Sequence, residues 1–264
     1  MFDFHSNEDW YFQIQERNCN EYVIPFIETF TPLREGLCVL EIGCGEAGVL
    51  KAFLERGCKG LGVELEQSRL VNSRKRMSSY IDSGQLTLIA KDIYEVDSPE
   101  ELIGEKFDVI VLKDVIEHIH DQKKLLVKLK SFLKPGGVIY FGFPPWQMPF
   151  GGHQQMCRSK FLSRLPYFHL LPVSLYRFVL KMFKEGSDEF LEIKETGISI
   201  ERFEKITKKT GYEILNSIHF FINPIYKYKF NMKVRKQAKI IKAIPYLRNF
   251  FTTSVFYLIR VKEN

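Results

Sequence analysis

Leu37-Cys-Val-Leu-Glu41-Ile-Gly43-Cys-Gly45-Glu-Ala-Gly48-Val-Leu50 decides the fold. Leu37, Val39, Leu40 and Ile42 make a short apolar run, the pattern of a strand buried on both faces. Three glycines follow, and a helical pattern begins at Val49. A strand that ends in glycines and turns into a helix brings a ligand against main chain. Glycine reaches φ > 0 and carries no Cβ, and the free N–H groups of a helix start favour polar or anionic atoms. Glu41 stands just before the glycines, where a carboxylate would repel dinucleotide phosphates. It suits a ligand carrying an ammonium or a sulfonium.

Outward from this stretch the chain alternates. Gly60–Glu64, Leu86–Ala90, Phe107–Leu112 and Val138–Phe143 read as further strands. The stripe Val49, Leu50, Phe53, Leu54, the polar run 66–81 and the amphipathic run 119–133 read as helices between them. Strands alternating with helices give a parallel sheet. Residues 8–30 read as a helix broken or kinked at Pro25. After Pro144-Pro145 the rhythm stops, and residues 144–198 are aromatic, proline-punctuated and without a clean strand. A helix over 199–210, capped by Ser199 or Thr196, then leads to a sixth strand at Tyr212–Ile222 and a last one at Thr252–Val261. Tyr226–Val234 alternates apolar and basic residues, which predicts a strand or hairpin arm, with 235–244 turning helical.

Glu41-Ile-Gly43-Cys-Gly45-Glu-Ala-Gly48 resembles the E/DxGxGxG signature of class I methyltransferases that use S-adenosylmethionine (SAM). SAM carries both an ammonium and a sulfonium. The resemblance covers residues 37–143 and, more loosely, 199–222 and 252–262. It implies an α/β fold: a seven-stranded Rossmann-like sheet with helices on both faces, an aromatic lid after strand five and a final antiparallel strand beside the sixth. The expected organisation is a single domain over 1–264. It has an N-terminal helical segment (1–36), a SAM-binding core (37–143), a lid and acceptor insert (144–198) and a C-terminal part (199–264) with a basic arm at 223–249.

The same resemblance assigns a cofactor site, with S-adenosylhomocysteine as product. Gly43 and Gly45 form the turn beside Glu41. Glu64, 21 residues beyond Gly43, closes the second strand, where an acid accepts hydrogen bonds from ribose hydroxyls. Asp92 closes the third strand, and its family equivalent binds the adenine amino group with the Ile93 N–H beside it; a turn cap is the plainer role. Lys113 and His118 complete the set. Glu117 and His118 would cap the next helix and contact the methionine part of SAM. A sharper reading puts Asp114, Glu117 and His118 on one helix face around a divalent metal. Ubiquinone-biosynthesis and small-RNA 2′-O-methyltransferases use an ExxEH set in that way. Asp114 is short for that role, and the expectation is a site without metal.

Pro144-Pro-Trp146-Gln-Met-Pro-Phe150-Gly-Gly-His153 follows the fifth strand, where family members meet the acceptor. His153 is the candidate general base: a hydroxyl acceptor must lose a proton, and neutral imidazole takes it near pH 7. Holding the loop by a main-chain hydrogen bond is its alternative role. Tyr167, Phe168, Tyr176 and Phe178 read as the core of the lid. The expected activity is O-methylation of a small-molecule, glycan or lipid-precursor hydroxyl. An RNA 2′-O-methyltransferase and a non-catalytic SAM-binding module are the alternatives. A base-methylating Asn/Asp-Pro-Pro-aromatic motif does not follow strand four.

Composition is that of an ordinary globular protein. Five cysteines without a CxxC pair argue for reduced thiols rather than a disulfide framework. Residues 1–9 lack the features of a signal peptide and no apolar run reaches membrane-spanning length, so a cytoplasmic enzyme is expected. Of the net charge of +6, residues 223–264 carry ten Lys and Arg against the single acid Glu263. That end suits an acidic partner: an anionic membrane surface touched peripherally, a phosphate-bearing substrate or, less favoured, nucleic acid. A merely solvated basic face is the other reading.

Overall fold

The computed structural model describes residues 8–186 and 188–263. Its strands are β1 Cys38–Ile42, β2 Lys59–Glu64, β3 Leu86–Ala90, β4 Phe107–Lys113, β5 Leu133–Phe143, β6 Tyr212–Ile222, β7 Arg235–Lys236 and β8 Ser254–Val261. They form one sheet in the order β3-β2-β1-β4-β5-β8-β6-β7. The first five pair in parallel, and β8 enters antiparallel between β5 and β6. The last strand therefore lies beside the sixth, as expected. The sheet has eight strands rather than seven, because β7 adds a two-residue ladder to the end of β6. A short, wholly charged edge strand gives little template for further pairing.

The helices are α1 Glu8–Asn18, α2 Ile24–Ile27, α3 Gly48–Leu54, α4 Gln67–Arg76, α5 Ser78–Asp82, α6 Glu100–Ile103, α7 Gln122–Phe132, α8 Val173–Met182, α9 Asp188–Thr196, α10 Ile200–Lys209, α11 Tyr226–Phe230, α12 Lys239–Ala243 and α13 Leu247–Phe250. Successive strand residues face opposite sides, and both sides are covered. Val39, Val109, Val111 and Tyr140 pack with Phe12, Ile24 and Phe53. Leu40, Ile110, Leu112 and Phe141 pack with Leu125, Leu129, Phe132 and Phe203. This two-sided burial is why β1 and β4 are continuous apolar runs. A third cluster, including Phe168, Tyr176 and Leu180, is the core of the 144–198 insert. Tyr167 is half-buried, its hydroxyl donating to the Phe250 carbonyl at 2.9 Å. Phe178 points outward instead and is 62% exposed.

Four local expectations change. The chain stays helical through Pro25: Cys19–Val23 is a π turn in which the Ile24 N–H reaches back to the Cys19 carbonyl. The wider turn absorbs a residue that has no N–H to give. The polar helix at 66–81 divides at Met77 into α4 and α5. The helix after β4 starts at Gln122, where Asp121 accepts the Lys124 N–H at 2.9 Å. Ile116–His118 is a separate 3₁₀ turn, so Glu117 and His118 do not cap α7. Finally, Tyr226–Phe230 is helical, not a strand. Asn223 accepts the Ile225 N–H at 3.2 Å, and Pro224 suits a helix start. The Tyr226 and Phe230 rings meet edge to face at 5.2 Å, and left-handed Asn231 ends the turn.

All five cysteines are buried free thiols. Among the described residues no helix is long and apolar enough to cross a membrane.

Candidate active site

The strand order reverses at β1, which has β2 on one side and β4 on the other. Ligands of open α/β sheets bind outside the carboxyl ends of the strands at such a point. An open cleft of about 560 Å³ lies there, lined by Glu41, Gly43, Gly45, Lys113 and Asp114, with Tyr11 and Gln15 of α1 and Arg69 of α4. Gly43 (φ 67°) and Gly45 (φ 51°) are left-handed. The Gly43 and Cys44 N–H groups both donate to the Val63 carbonyl, at 2.8 and 3.1 Å, tying the turn to β2. Gly48 has a different task. A Cβ there would lie 2.7 Å from the Phe12 carbonyl, so its missing side chain seats α1 on α3.

Glu41 is 4% exposed, and its Oε2 has no hydrogen-bond partner. Burial pushes its pKa up to about 8, against the pull of Lys113 and of a Leu50 main-chain hydrogen bond. A buried carboxyl with a spare oxygen on the wall of an open cleft fits a cationic ligand group. The glycine turn beside it gives that ligand access to main chain. Lys113 donates to Asp114 Oδ2 at 2.5 Å. Burial works against its charge, but Asp114, Tyr11 and Glu41 prevail and raise its pKa. Asp114 itself holds a left-handed backbone (φ 57°), unusual for a non-glycine residue. Its N–H is fixed on the Gly142 carbonyl at 2.7 Å.

Glu64 borders the cleft through Gly45, whose N–H it accepts at 2.8 Å. It also accepts the Leu65 and Glu66 N–H groups at 3.0 and 3.3 Å, and Arg69 lies 3.6 Å away. Asp92 caps the 3₁₀ turn Ile93–Glu95, accepting the Tyr94 N–H at 2.8 Å. Both acids close their strands as expected, but Asp92 and buried Ile93 lie off the cleft wall. His118 is also off that wall and stands against His153, ring centroids 4.8 Å apart. Burial pushes the His118 pKa down, against the charges of Asp114 and Glu192.

Glu117 and His153 line a second, smaller cavity with Pro144, Pro145, Trp146 and Ile193. The shared helix face imagined for Asp114, Glu117 and His118 does not exist. Asp114 is left-handed and faces the cleft, while Glu117 sits in a 3₁₀ turn on the other cavity. Among the described residues no three His, Cys, Asp or Glu side chains are grouped to hold a metal ion.

Sequence reasoning missed Tyr11, Gln15 and Arg69 as cleft residues. The aromatic Trp10-Tyr11-Phe12 at the head of an amphipathic helix was the available signal for the first. The basic arm also differs from a free charged tail. Lys227 pairs with Glu21, Lys242 donates to the Ser217 carbonyl at 3.1 Å, and Arg248 bonds Glu201 and Glu204, each at 2.8 Å. Lys229 lies 5.2 Å from the Tyr11 ring centroid, beside the cleft. Burial, with the charge of Lys113, lowers its pKa to about 8.

Sheet order, glycine turn and the buried Glu41 carboxyl meet at one open cleft. The model of the methyltransferase domain family matches residues 14–166, more than half of the chain, and the chain belongs to that family. The ubiquinone biosynthesis O-methyltransferase of Leptothrix cholodnii is 23% identical over 209 residues, 78% of this chain and 77% of that protein. The protein of the same name from Idiomarina loihiensis is 30% identical over 122 residues, 46% of this chain and 48% of that one. Among solved structures, an S-adenosylmethionine-dependent methyltransferase from Clostridium acetobutylicum matches with a TM-score of 0.56 at 14% identity, covering 94% of this chain and 92% of that one. A plantazolicin methyltransferase in complex with S-adenosylhomocysteine matches with a TM-score of 0.58 at 13% identity, covering 95% and 85%. The structural matches establish the fold, and the family makes the chain a SAM-dependent methyltransferase.

Proposed function

We propose that the chain transfers a methyl group from SAM to a hydroxyl of a small molecule, of the glycan or lipid-precursor kind. The observation that carries this reading is the His118–His153 pair, 4.8 Å apart, on the loops that follow β4 and β5. His118 is held neutral by burial, so imidazole is available at pH 7 beside the acceptor's expected place. The O-methyltransferase names of the relatives agree with this choice.

When bound, SAM supplies a methyl group activated by its sulfonium. Glu41 would take the ligand's cationic end. Glu64 would accept from the ribose and Asp92 from the adenine amino group, with the Ile93 N–H beside it. Gly43 and Gly45 leave room for main-chain contact, and Lys113 holds Asp114 in place. Methyl transfer is an in-line displacement, so the chain mainly supplies alignment. The acceptor O–H gives its proton to His153 as the oxygen takes the methyl group. The test is tritiated SAM with cell extract fractionated into lipid, polysaccharide, small molecules and RNA. Label in the first three supports the reading, with an alkali-stable ether product. Label confined to RNA would replace it.

Glu64→Ala should weaken SAM binding at least tenfold. Hydrogen bonds to a charged group are each worth about 1.5–3 kcal/mol, and Gly45 loses its acceptor as well. Calorimetry on a folded variant with unchanged affinity would rule out the ribose role.

A peripheral membrane contact belongs to this reading, but on the lid. Leu175, Phe178 and Met182 of α8 are exposed. Residues 158–184 contain Arg158, Lys160, Arg164, Arg177, Lys181 and Lys184 and no acid. An apolar helix face rimmed by cations is the composition of an interfacial helix. Phe178→Ser with Met182→Ser should cut cosedimentation with phosphatidylglycerol vesicles several-fold. Lys233→Glu with Lys236→Glu should do less. Equal loss from both pairs would mean that general charge, not the lid, governs binding.

A further inference from the structure

One side chain covers two residues of the nucleoside half of the cleft, Glu64 and Gly45. Arg69, in the first turn of α4, sets Nη1 3.6 Å from Glu64 Oε2. A Cβ on Gly45 would lie 2.7 Å from Arg69 Nη2, so the guanidinium rests on the bare face of that glycine. It is loosely held, because the Arg69 side chain is 49% exposed against 7% for Glu64. The main chain beneath is fixed. Ser73, one turn on, donates to the Gly45 carbonyl at 3.0 Å and ties α4 to the glycine turn. Movement of the guanidinium is therefore movement of its own stem.

Glu64 has little to offer a ligand while Arg69 lies there. An ionised carboxylate has about four acceptor sites. Main-chain N–H groups fill three of them: Gly45 on Oε2 at 2.8 Å, and Leu65 and Glu66 on Oε1 at 3.0 and 3.3 Å. The fourth, on Oε2, faces Arg69. A ribose hydroxyl needs that same site.

We propose that Arg69 competes with the ribose for Glu64, so that only the fraction of protein whose guanidinium has swung away takes SAM. This rests on the reading of Glu64 as the ribose acceptor. A ligand's apparent affinity falls in proportion to the competent fraction. Arg69 thereby sets the affinity for SAM and for the product S-adenosylhomocysteine together, and keeps the product from holding the cleft. The displaced guanidinium has a second carboxylate to face. Glu46 lines the same cleft. Burial pushes its pKa up, while the charges of Arg76 and Arg69 pull it back. A half-exposed ion pair is weak, so passing from one acid to the other is a small step.

The experiment measures S-adenosylhomocysteine binding by calorimetry and stopped flow in Arg69→Met, which keeps the stem and removes the charge. Affinity should rise about two- to fivefold, the range of a half-exposed ion pair, and the gain should lie in faster association. In a Glu64→Gln background the same substitution should gain much less, because the contested carboxylate is gone. With ¹⁵N-arginine label, the Arg69 Nε–H resonance, identified by its loss in Arg69→Met, should shift when wild type is saturated. Weaker or unchanged binding by Arg69→Met would overturn the proposal, the former by making the guanidinium a ligand contact. A gain in slower dissociation, an equal gain in both backgrounds or an unmoved Arg69 resonance would overturn it too. Those outcomes leave wild-type binding of S-adenosylhomocysteine intact. Its absence would strike the cofactor site itself, and the competition with it.

Discussion

His153→Ala should lower kcat by about 10²–10⁴-fold, the range for loss of a general base, with SAM affinity unchanged. The split follows from position. His153 lines the second cavity and not the cleft that holds Glu41 and the glycine turn. His118 stands 4.8 Å away and is kept neutral by burial, so it can take over part of the task. The single substitution should therefore fall toward the lower end of that range, and His118→Ala with His153→Ala toward the upper end. In the wild type the rate should rise with pH through the imidazole range, because only the neutral ring accepts a proton. The double variant should lose that limb. EDTA should leave turnover unchanged, since Asp114 and Glu117 face different cavities. Activity abolished by chelator and restored by Mg²⁺ would assign the proton's removal to a metal-bound oxygen. Activity indifferent to both EDTA and the double substitution would point to an amine or thiol acceptor.

The frame of this site was legible because its signals are local. Apolar runs bounded by glycine fixed β1, β2, β4 and β5, and an acid at the end of β2 or β3 can be read without tertiary information. What escaped depends on residues far apart in sequence. The third glycine of Glu41-Ile-Gly-Cys-Gly-Glu-Ala-Gly48 lines the cleft, but what its missing Cβ makes room for is the Phe12 carbonyl, 36 residues away. Tyr11 and Gln15 line the cleft because α1 lies on α3; the aromatic run Trp10-Tyr11-Phe12 announces that α1 packs, but not against which element.

The basic arm failed for a different reason: two local patterns compete there. Tyr226–Val234 alternates like a strand, but Asn223-Pro224 before it and Asn231 within it are helix start and stop signals. The helix prevails with an edge-to-face Tyr226–Phe230 contact and the pairing of Lys227 with Glu21. The same folding back packs Lys229 against the Tyr11 ring, so counting the arm as one solvated charge cloud mixed surface lysines with a buried one. On the lid, α8 escaped notice because an acid-free stretch is informative only once its apolar face is known to be exposed.

Glu41 carries the remaining large expectation: SAM affinity should rise about tenfold per pH unit from pH 6 to 7 and level off near pH 8. In the ligand-free protein its carboxyl has a pKa of about 8, raised chiefly by burial. Below that value it is protonated, and a cationic ligand must displace the proton before pairing with the carboxylate. Each unit below the pKa then costs about a factor of ten. The groups around it oppose one another, Lys113 favouring the charged form and Glu64 the neutral one. Above pH 8 a ligand ammonium loses its own proton, so the gain ends there. Glu41→Gln should abolish the slope and hold affinity near the weak low-pH value, about a hundredfold below wild type at pH 8. Stability should move the other way. The folded pKa lies above the unfolded value of about 4.3, so the native state binds more protons between the two. Glu41 therefore weakens the ligand-free fold as pH rises from about 4.3 to 8. Without ligand, Glu41→Gln should melt higher than wild type at pH 8 and about level with it at pH 4. Calorimetry in buffers of different ionisation enthalpy would also register the released proton at pH 7. A flat affinity from pH 6 to 8 in the wild type would remove Glu41 from the cation's seat.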